Sequence, residues 1–391
     1  MSFGFWQLFR CVAVLGCIES SAMAQTLTPD PTNQTVTPDM LVLPLHLGGR
    51  VAVSPIAGTL PPGALAYMHE WPGLYFEAAF VGHSVTLKFD DEVNEYRLLI
   101  DDLPPIPIAQ PGAVEIKVTD LLLGPHRLRL EKVTESTDLT GSFAGFYVLP
   151  DAQPEIAPSR SRQIEFIGDS DMTGYGIRSS SRICNPEQVR LLSDTQAGYP
   201  ALVARHFDAD YQVNAISGRG MVRNYDGFDP NIAMPFVYPF SLPSAGIAVT
   251  GTEWNPQIIY IALGGNDFAT PLHAGENWAD TASLISDFTN KFSAFVTDLH
   301  ADHPNATILI ALPYGPVIPE VQTAEFIKEF ETALLTTAGQ IGLTRIDFLT
   351  LIDTKPESTA CDYHPSVRDQ QNRAAWLTGY LDDHPALWGT P

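Results

Sequence analysis

The sequence predicts two domains in series: an antiparallel β-sandwich of jelly-roll type, then an α/β domain whose parallel sheet carries helices on both faces. Three observations predict this. The 391 residues suffice for two cores of ordinary size. From about residue 45 to 150, apolar and polar side chains alternate between Gly/Pro turns, without a helix-length amphipathic stretch. Beyond that region, short, nearly continuous apolar runs alternate with helix-length segments, as in a sheet buried on both faces.

Taken in order, residues 1–24 are expected to be an export signal. Arg10 precedes the apolar run 11–18, and Ala22-Met23-Ala24 supplies a small-x-small cleavage motif. The mature protein is then secreted or periplasmic. Val14-Leu15-Gly16-Cys17 loosely matches a lipoprotein box, and anchoring through Cys17 is the minor alternative. Cleavage after Ala24 leaves Cys184 and Cys361, which either form a disulfide or remain two free thiols. Residues 25–44, rich in Thr, Pro, Asn and Asp, read as a flexible lead-in. The sandwich, residues 45–150, rests on Val85/Leu87/Phe89, Val114/Ile116/Val118 and Leu128/Leu130. Turn signals at Asp101-Asp102, Pro104-Pro105, Pro111-Gly112 and Gly124-Pro125 separate such runs. Residues 151–163 read as a linker. In the second domain, 164–391, strands are expected at 164–167, 213–216, 258–263, 308–312 and 346–351. Helices are expected near 197–207, 277–300 and 319–340.

The formal charge is −23, and only 6 of the 22 basic residues are Lys. Binding to nucleic acid needs clustered cations that displace counterions, so that class is excluded. No Gly-x-x-x-x-Gly-Lys-Ser/Thr occurs, and no Gly-x-Gly-x-x-Gly opens the second domain, so no nucleotide or other cofactor is expected. His300 and His303 have i,i+3 spacing, but they end a helix before Pro304, and no metal is expected. No obligate partner is indicated, and a monomer is expected.

Ligands of open α/β sheets bind beyond the carboxyl ends of the strands. Gly168-Asp169-Ser170 follows the first expected strand, Ser217-Gly218-Arg219-Gly220 the second, and Gly264-Gly265-Asn266-Asp267 the third. The last leads, some ten residues on, into Cys361-Asp362-Tyr363-His364-Pro365. Each block alone reads as ordinary turn and cap chemistry. Together, each at a strand end, they supply a nucleophile, two oxyanion donors and a base.

In that combination the chain resembles the SGNH (GDSL-type) hydrolases, and more closely carbohydrate esterase family two, the acetyl-xylan and acetyl-oligosaccharide esterases. The resembling segments are Ile164–Gly176, Ser217–Met221 and Cys361–Pro365. The resemblance implies a jelly roll followed by a flavodoxin-like SGNH hydrolase domain, acting on acetylated carbohydrate through an acyl-enzyme. It also implies roles that the chemistry supports. Ser170 is the nucleophile and His364 its base, since imidazole shuttles protons near neutral pH. The N–H groups of Ser170 and Gly218 and the side-chain amide of Asn266 form the oxyanion hole. Similar cysteines in that family favour a Cys184–Cys361 bridge beside the base.

Two positions depart from the usual pattern. Most SGNH enzymes carry Asp three residues before the catalytic His; here Cys361 stands there and Asp362 lies two before. On an extended chain Asp362 would share a side with His364 and reach it. Some members of the resembled family use a backbone carbonyl instead, so a Ser170–His364 dyad is the default and Asp362 the candidate third member. Asp171 replaces a usual apolar residue and is expected to point away from the site. Trp71, Trp254, Trp278 and Tyr363 are candidate sugar platforms, though large aromatics more often fill cores. The alternatives are an SGNH lipase or lysophospholipase, weakened by the lack of an apolar lid segment, and a carbohydrate-binding protein with a decayed hydrolase domain. With acidic residues around the cleft, neutral acetylated glycans are expected to be preferred over uronate-rich ones.

Overall fold

The computed structural model describes residues 36–56, 60–136, 139–251, 253–312, 317–349 and 356–389. The expected export segment and Cys17 lie outside them. Among the described residues no helix is long and apolar enough to cross a membrane.

Twelve strands build the first domain: β1 (Leu41–Val42), β2 (His46–Gly48), β3 (Ala52–Pro55), β4 (Leu65–His69), β5 (Tyr75–Gly82), β6 (Val85–Asp91), β7 (Glu95–Ile100), β8 (Ile106–Ala109), β9 (Gly112–Val118), β10 (Gly124–Lys132), β11 (Gly141–Val148) and β12 (Gln153–Glu155). They form two six-stranded sheets. The pairs β4–β11, β5–β10, β6–β9 and β7–β8 are antiparallel and nested about the β7–β8 turn, as in a long hairpin rolled into a jelly roll. Val85, Leu87 and Phe89 from one sheet and Leu98, Leu128 and Leu130 from the other are buried in the core between them.

The ends of this domain differ from expectation. From residue 36 the expected lead-in is packed rather than flexible. Val36 and Met40 are buried beside Tyr147, and β1 pairs with β11. Two or three apolar anchors and a sheet edge order a segment whose composition alone reads as polar loop. Likewise, β12 lies inside the expected linker and adds an outer strand to β5, with Pro154 on the edge where a missing N–H is tolerated.

The second domain contains β13 (Arg162–Gly168), β14 (Ala209–Ala215), β15 (Phe240–Leu242), β16 (Ile247–Ala248), β17 (Ile258–Ile261), β18 (Thr307–Ala311) and β19 (Ile346–Leu349). Its helices are α1 (Ser170–Thr173), α2 (Pro186–Leu192), α3 (Tyr199–His206), α4 (Met234–Val237), α5 (Gly265–Phe268), α6 (Thr281–Asp302), α7 (Ala324–Ile341) and α8 (Val367–Asp383). β15 and β16 form a small hairpin, and the main sheet runs β14-β13-β17-β18-β19 with every pair parallel. This is the flavodoxin-like order, and its crevice lies where the order reverses, between β13 and its neighbours at their carboxyl ends. Alternate residues serve the two faces. On β17, Ile259 and Ile261 join the core under α6 and α7, while Ile258 and Tyr260 join the core under α3 and α8.

Buried polar contacts join the domains. Arg50 lies 3.0 Å from Glu165, whose carboxylate also accepts from Asn214, Tyr238 and Trp254. A buried charge with this many donors is compensated. Trp71, itself buried, donates to the Phe240 carbonyl at 2.9 Å.

Candidate active site

Ser170 opens a single helical turn directly after β13. Asp169 caps that turn by accepting from the Asp171 N–H, and Gly174 ends it in the left-handed region. At the first position of a helix the Ser170 N–H has no intrahelical acceptor. The short turn thus presents hydroxyl and amide together at the carboxyl end of β13.

His364 reaches the same point from the loop before α8. Its Nε2 lies 2.8 Å from Ser170 Oγ, and its Nδ1 lies 3.0 Å from the carbonyl oxygen of Cys361. If Nδ1–H donates to that carbonyl, Nε2 carries the lone pair facing the hydroxyl, the tautomer a general base needs. The Tyr175 ring lies alongside the imidazole, with centroids 4.3 Å apart.

Asp362 does not orient the base. Its carboxylate accepts from the Tyr175 hydroxyl at 2.8 Å, and the Cys361 carbonyl occupies the Nδ1 side of the ring. The expectation of an extended chain fails because Asp362 and Tyr363 adopt φ of 50° and 63°. The resulting tight turn swings the Asp362 side chain away and folds the Cys361 carbonyl back onto His364. Removing an orienting carboxylate from a triad costs about 10⁴ in kcat. Asp362→Ala is therefore expected to stay within about fivefold of wild type on p-nitrophenyl acetate, and a triad-sized loss would restore Asp362 as the third member.

Cys361 is bonded to Cys184, with Cα atoms 5.4 Å apart. The Asp362 N–H donates to the Arg182 carbonyl at 2.9 Å, so a covalent bond and a hydrogen bond fix the same turn. Gly176 must pass beside this bridge: at φ 54°, a Cβ there would stand 2.7 Å from the Cys361 sulfur. The bridge spans 177 residues, for which loop-closure entropy predicts about 5 kcal/mol before any strain is subtracted. Cys184→Ala/Cys361→Ala is expected to lower Tm by roughly 10 °C. It should also lower kcat severalfold, because the carbonyl that holds His364 loses its anchor. Calorimetry and steady-state kinetics on the double variant check both effects.

The other two blocks lie at the carboxyl ends of β14 and β17. Gly218, with φ 79°, follows β14, and a Cβ there would stand 2.9 Å from the Phe228 ring. Asn266 lies in α5, where its Nδ2 donates to Asp169 Oδ2 at 3.0 Å and to the Arg219 carbonyl at 2.9 Å. It thus ties the turn that carries Ser170 to the glycine turn. Asp267 accepts from the N–H groups of Met221, Val222 and Arg223, shaping that loop, while burial pushes its carboxyl up to about 6. Burial, reinforced by nearby Asp171, pushes Asp169 up to about 8. Asp171 points away as expected, into an ion pair with buried Arg373 at 2.8 Å.

Tyr175, Arg373 and Gln370, which donates to the Asp171 carbonyl, had no assigned part in the sequence reading. Tyr175 lies within the Ile164–Gly176 block, so its position was available. Among the aromatic candidates Trp71 is core, whereas Tyr363 beside the base is 67% exposed. Trp278 and Phe228 line a cavity of about 350 Å³ with Asn224, Asn231 and Asn277. His300 lies in the last turn of α6 with His303 at its cap, and among the described residues no three His, Cys, Asp or Glu side chains group as a metal site.

Residues 166–371 match the GDSL-like lipase/acylhydrolase family, and residues 63–158 match the carbohydrate esterase 2 N-terminal domain. An acetylxylan esterase/glucomannan deacetylase of Cellvibrio japonicus is 38% identical over 88% of this chain and 92% of its own. A cellulase/esterase of Acetivibrio thermocellus is 28% identical over 80% of this chain, which matches 37% of that larger protein. A solved carbohydrate esterase, described as having an active site with divergent catalytic and non-catalytic binding functions, superposes with TM-score 0.80. It is 37% identical, over 89% of this chain and all of that one. A family 2 esterase from Corynascus superposes with TM-score 0.68 at 25% identity, over 87% and 99% of the two chains. With its jelly roll, parallel sheet and Ser170–His364 pair, this chain belongs to the GDSL-like lipase/acylhydrolase family and, within it, to the carbohydrate esterases of family 2.

Proposed function

We propose that the protein is an exported, monomeric serine acetylesterase that removes O-acetyl groups from neutral polysaccharides of the xylan or glucomannan kind. The observation that carries this reading is the 2.8 Å contact between His364 Nε2 and Ser170 Oγ, with the other ring nitrogen held at the Cys361 carbonyl. Ser170 Oγ attacks the acetyl carbonyl carbon as its proton passes to Nε2. The carbonyl oxygen becomes an oxyanion facing the N–H groups of Ser170 and Gly218 and the Asn266 amide. Collapse expels the sugar oxygen, which takes the proton back from His364, and leaves acetyl-Ser170. Water, deprotonated by the same imidazole, then releases acetate.

The names of the Cellvibrio relative support the substrate class. The cavity lined by Phe228 and Trp278 offers aromatic faces for a sugar ring beside the Gly218 turn. Of the four acidic residues near the cleft, Asp171 is paired with Arg373, Asp267 is buried in its loop, and burial pushes Asp169 up to about 8. Asp362 is exposed beside the base and supplies most of the charge that would repel uronates.

Acetate release from acetylated xylan, glucomannan and a glucuronate-rich polymer tests the reading, with long-chain acyl esters as the comparison. Release from the neutral polymers at least tenfold faster than from long-chain esters is the expected result. Preference for the long acyl chain would overturn it. The mass of the mature protein from the native host, expected to begin at Gln25, tests export.

A further inference from the structure

We propose that Glu135, a residue of the jelly-roll domain, is a positioning residue for ester hydrolysis that holds the Ser217–Gly218 turn in register with Ser170. The inference rests on the reading of Ser170 as nucleophile and Gly218 as oxyanion donor.

Glu135 follows β10, on a loop braced from inside. The ammonium group of Lys132 is buried and donates to the carbonyls of Glu70 and Trp71 and to Ser136 Oγ. Thr134 Oγ1 donates to Asn94 Oδ1, and the Thr195 N–H reaches across from the second domain to the Val133 carbonyl at 3.0 Å. The loop therefore presents Glu135 from a rigid base.

Its carboxylate then crosses to the glycine turn. One oxygen accepts from the Ser217 N–H at 2.7 Å, and the other accepts from Ser217 Oγ–H. Ser217 Oγ also lies 3.0 Å from Thr173 Oγ1, which lies 3.2 Å from the carbonyl oxygen of Ser170. One carboxylate thus grips both donors of the residue immediately before Gly218. A hydroxyl pair then continues the contact to the one-turn helix of the nucleophile. Gly218 itself, in the left-handed region, has no side chain with which to hold its own N–H in place. Two hydrogen bonds on its neighbour, from the N–H and from the hydroxyl, supply that restraint.

The restraint acts through distance, so length and charge at position 135 can be separated. Glu135→Gln keeps the reach, with Oε1 accepting from the Ser217 N–H and Nε2 donating to Ser217 Oγ. Glu135→Asp keeps the charge but falls short by one methylene. A 1 Å misplacement costs up to about 10² in rate. With p-nitrophenyl acetate, Glu135→Gln is expected to keep kcat within threefold. Glu135→Asp and Glu135→Ala are expected to lose about 10- to 100-fold in kcat, with KM changed less than threefold.

Inhibition by phenylboronic acid, whose serine adduct places an oxygen in the oxyanion position, should weaken at least tenfold in the same two variants. Retention of kcat by Glu135→Asp, or a loss confined to KM, would overturn the proposal. The Gln/Asp pair decides it even if Glu135→Ala does not fold, since both keep a polar side chain in place. Ser170→Ala serves as the reference: if that variant stays active, the underlying reading fails whatever position 135 does.

Discussion

Ser170→Ala is expected to abolish ester hydrolysis, lowering kcat on p-nitrophenyl acetate by at least about 10⁴-fold. In the proposed mechanism this hydroxyl bonds to the acyl carbon as His364 Nε2, 2.8 Å away, takes its proton. Without Oγ the imidazole can only activate water, which lacks the fixed position of a side chain on a capped helical turn. His364→Ala should cost nearly as much, and combining the two should add little, because base and nucleophile act as one unit. Stability should change little, since Ser170 Oγ has His364 as its hydrogen-bond partner and the cap of α1 belongs to Asp169. Titration with a fluorophosphonate, expected to label wild type once per chain and Ser170→Ala not at all, checks the nucleophile directly. Residual turnover within tenfold of wild type would place the nucleophile elsewhere.

Much of this site was legible because it lies at the carboxyl ends of β13, β14 and β17, where apolar runs stop and Gly, Asp, Ser and Asn begin. Ser170, Gly218 and Asn266 are each within a few residues of a strand that periodicity locates. The contacts that hold them are of another kind. Glu135 meets Ser217 across 82 residues, Tyr175 meets Asp362 across 187, and Arg373 meets Asp171 across 202. No local pattern encodes such pairs.

The helix α8 escaped the same reading for a related reason. Its inward face carries Asp369, Gln370 and Arg373 beside Ala374, Leu377 and Leu381, so half of the buried stripe is polar. Gln370 and Arg373 grip Asp171 in the turn of Ser170, while Asp369 accepts from the N–H groups of Glu357, Ser358 and Ser366, and those tasks remove the apolar period that would have revealed the helix. Asp362 failed differently: its backbone is left-handed without being glycine, a choice that sequence spacing does not disclose.

Asn266→Ala is expected to lower kcat by about 10² to 10³ with little change in KM, the loss typical of one missing oxyanion donor. At rest the amide is engaged, with Asp169 Oδ2 at 3.0 Å and the Arg219 carbonyl at 2.9 Å. Donation to an oxyanion draws a hydrogen from one of these two acceptors, and the charge on Asp169 sets how firmly it holds its share. Burial pushes Asp169 up to about 8, and at neutral pH it is a protonated acid, a weaker acceptor than the oxyanion forming beside it. As the pH rises through about 8 it ionises. The carboxylate then competes for the amide hydrogen and repels the developing charge. Wild-type kcat on a neutral ester should therefore decline above that pH. In Asn266→Ala the competition for the hydrogen is gone, and the decline should be shallower. A pH–rate profile of both proteins separates the two contributions. A variant within fivefold of wild type at pH 7 would show that the backbone N–H groups of Ser170 and Gly218 carry the oxyanion alone. Asn266 would then serve only to tie the α5 turn to Asp169 and the glycine turn.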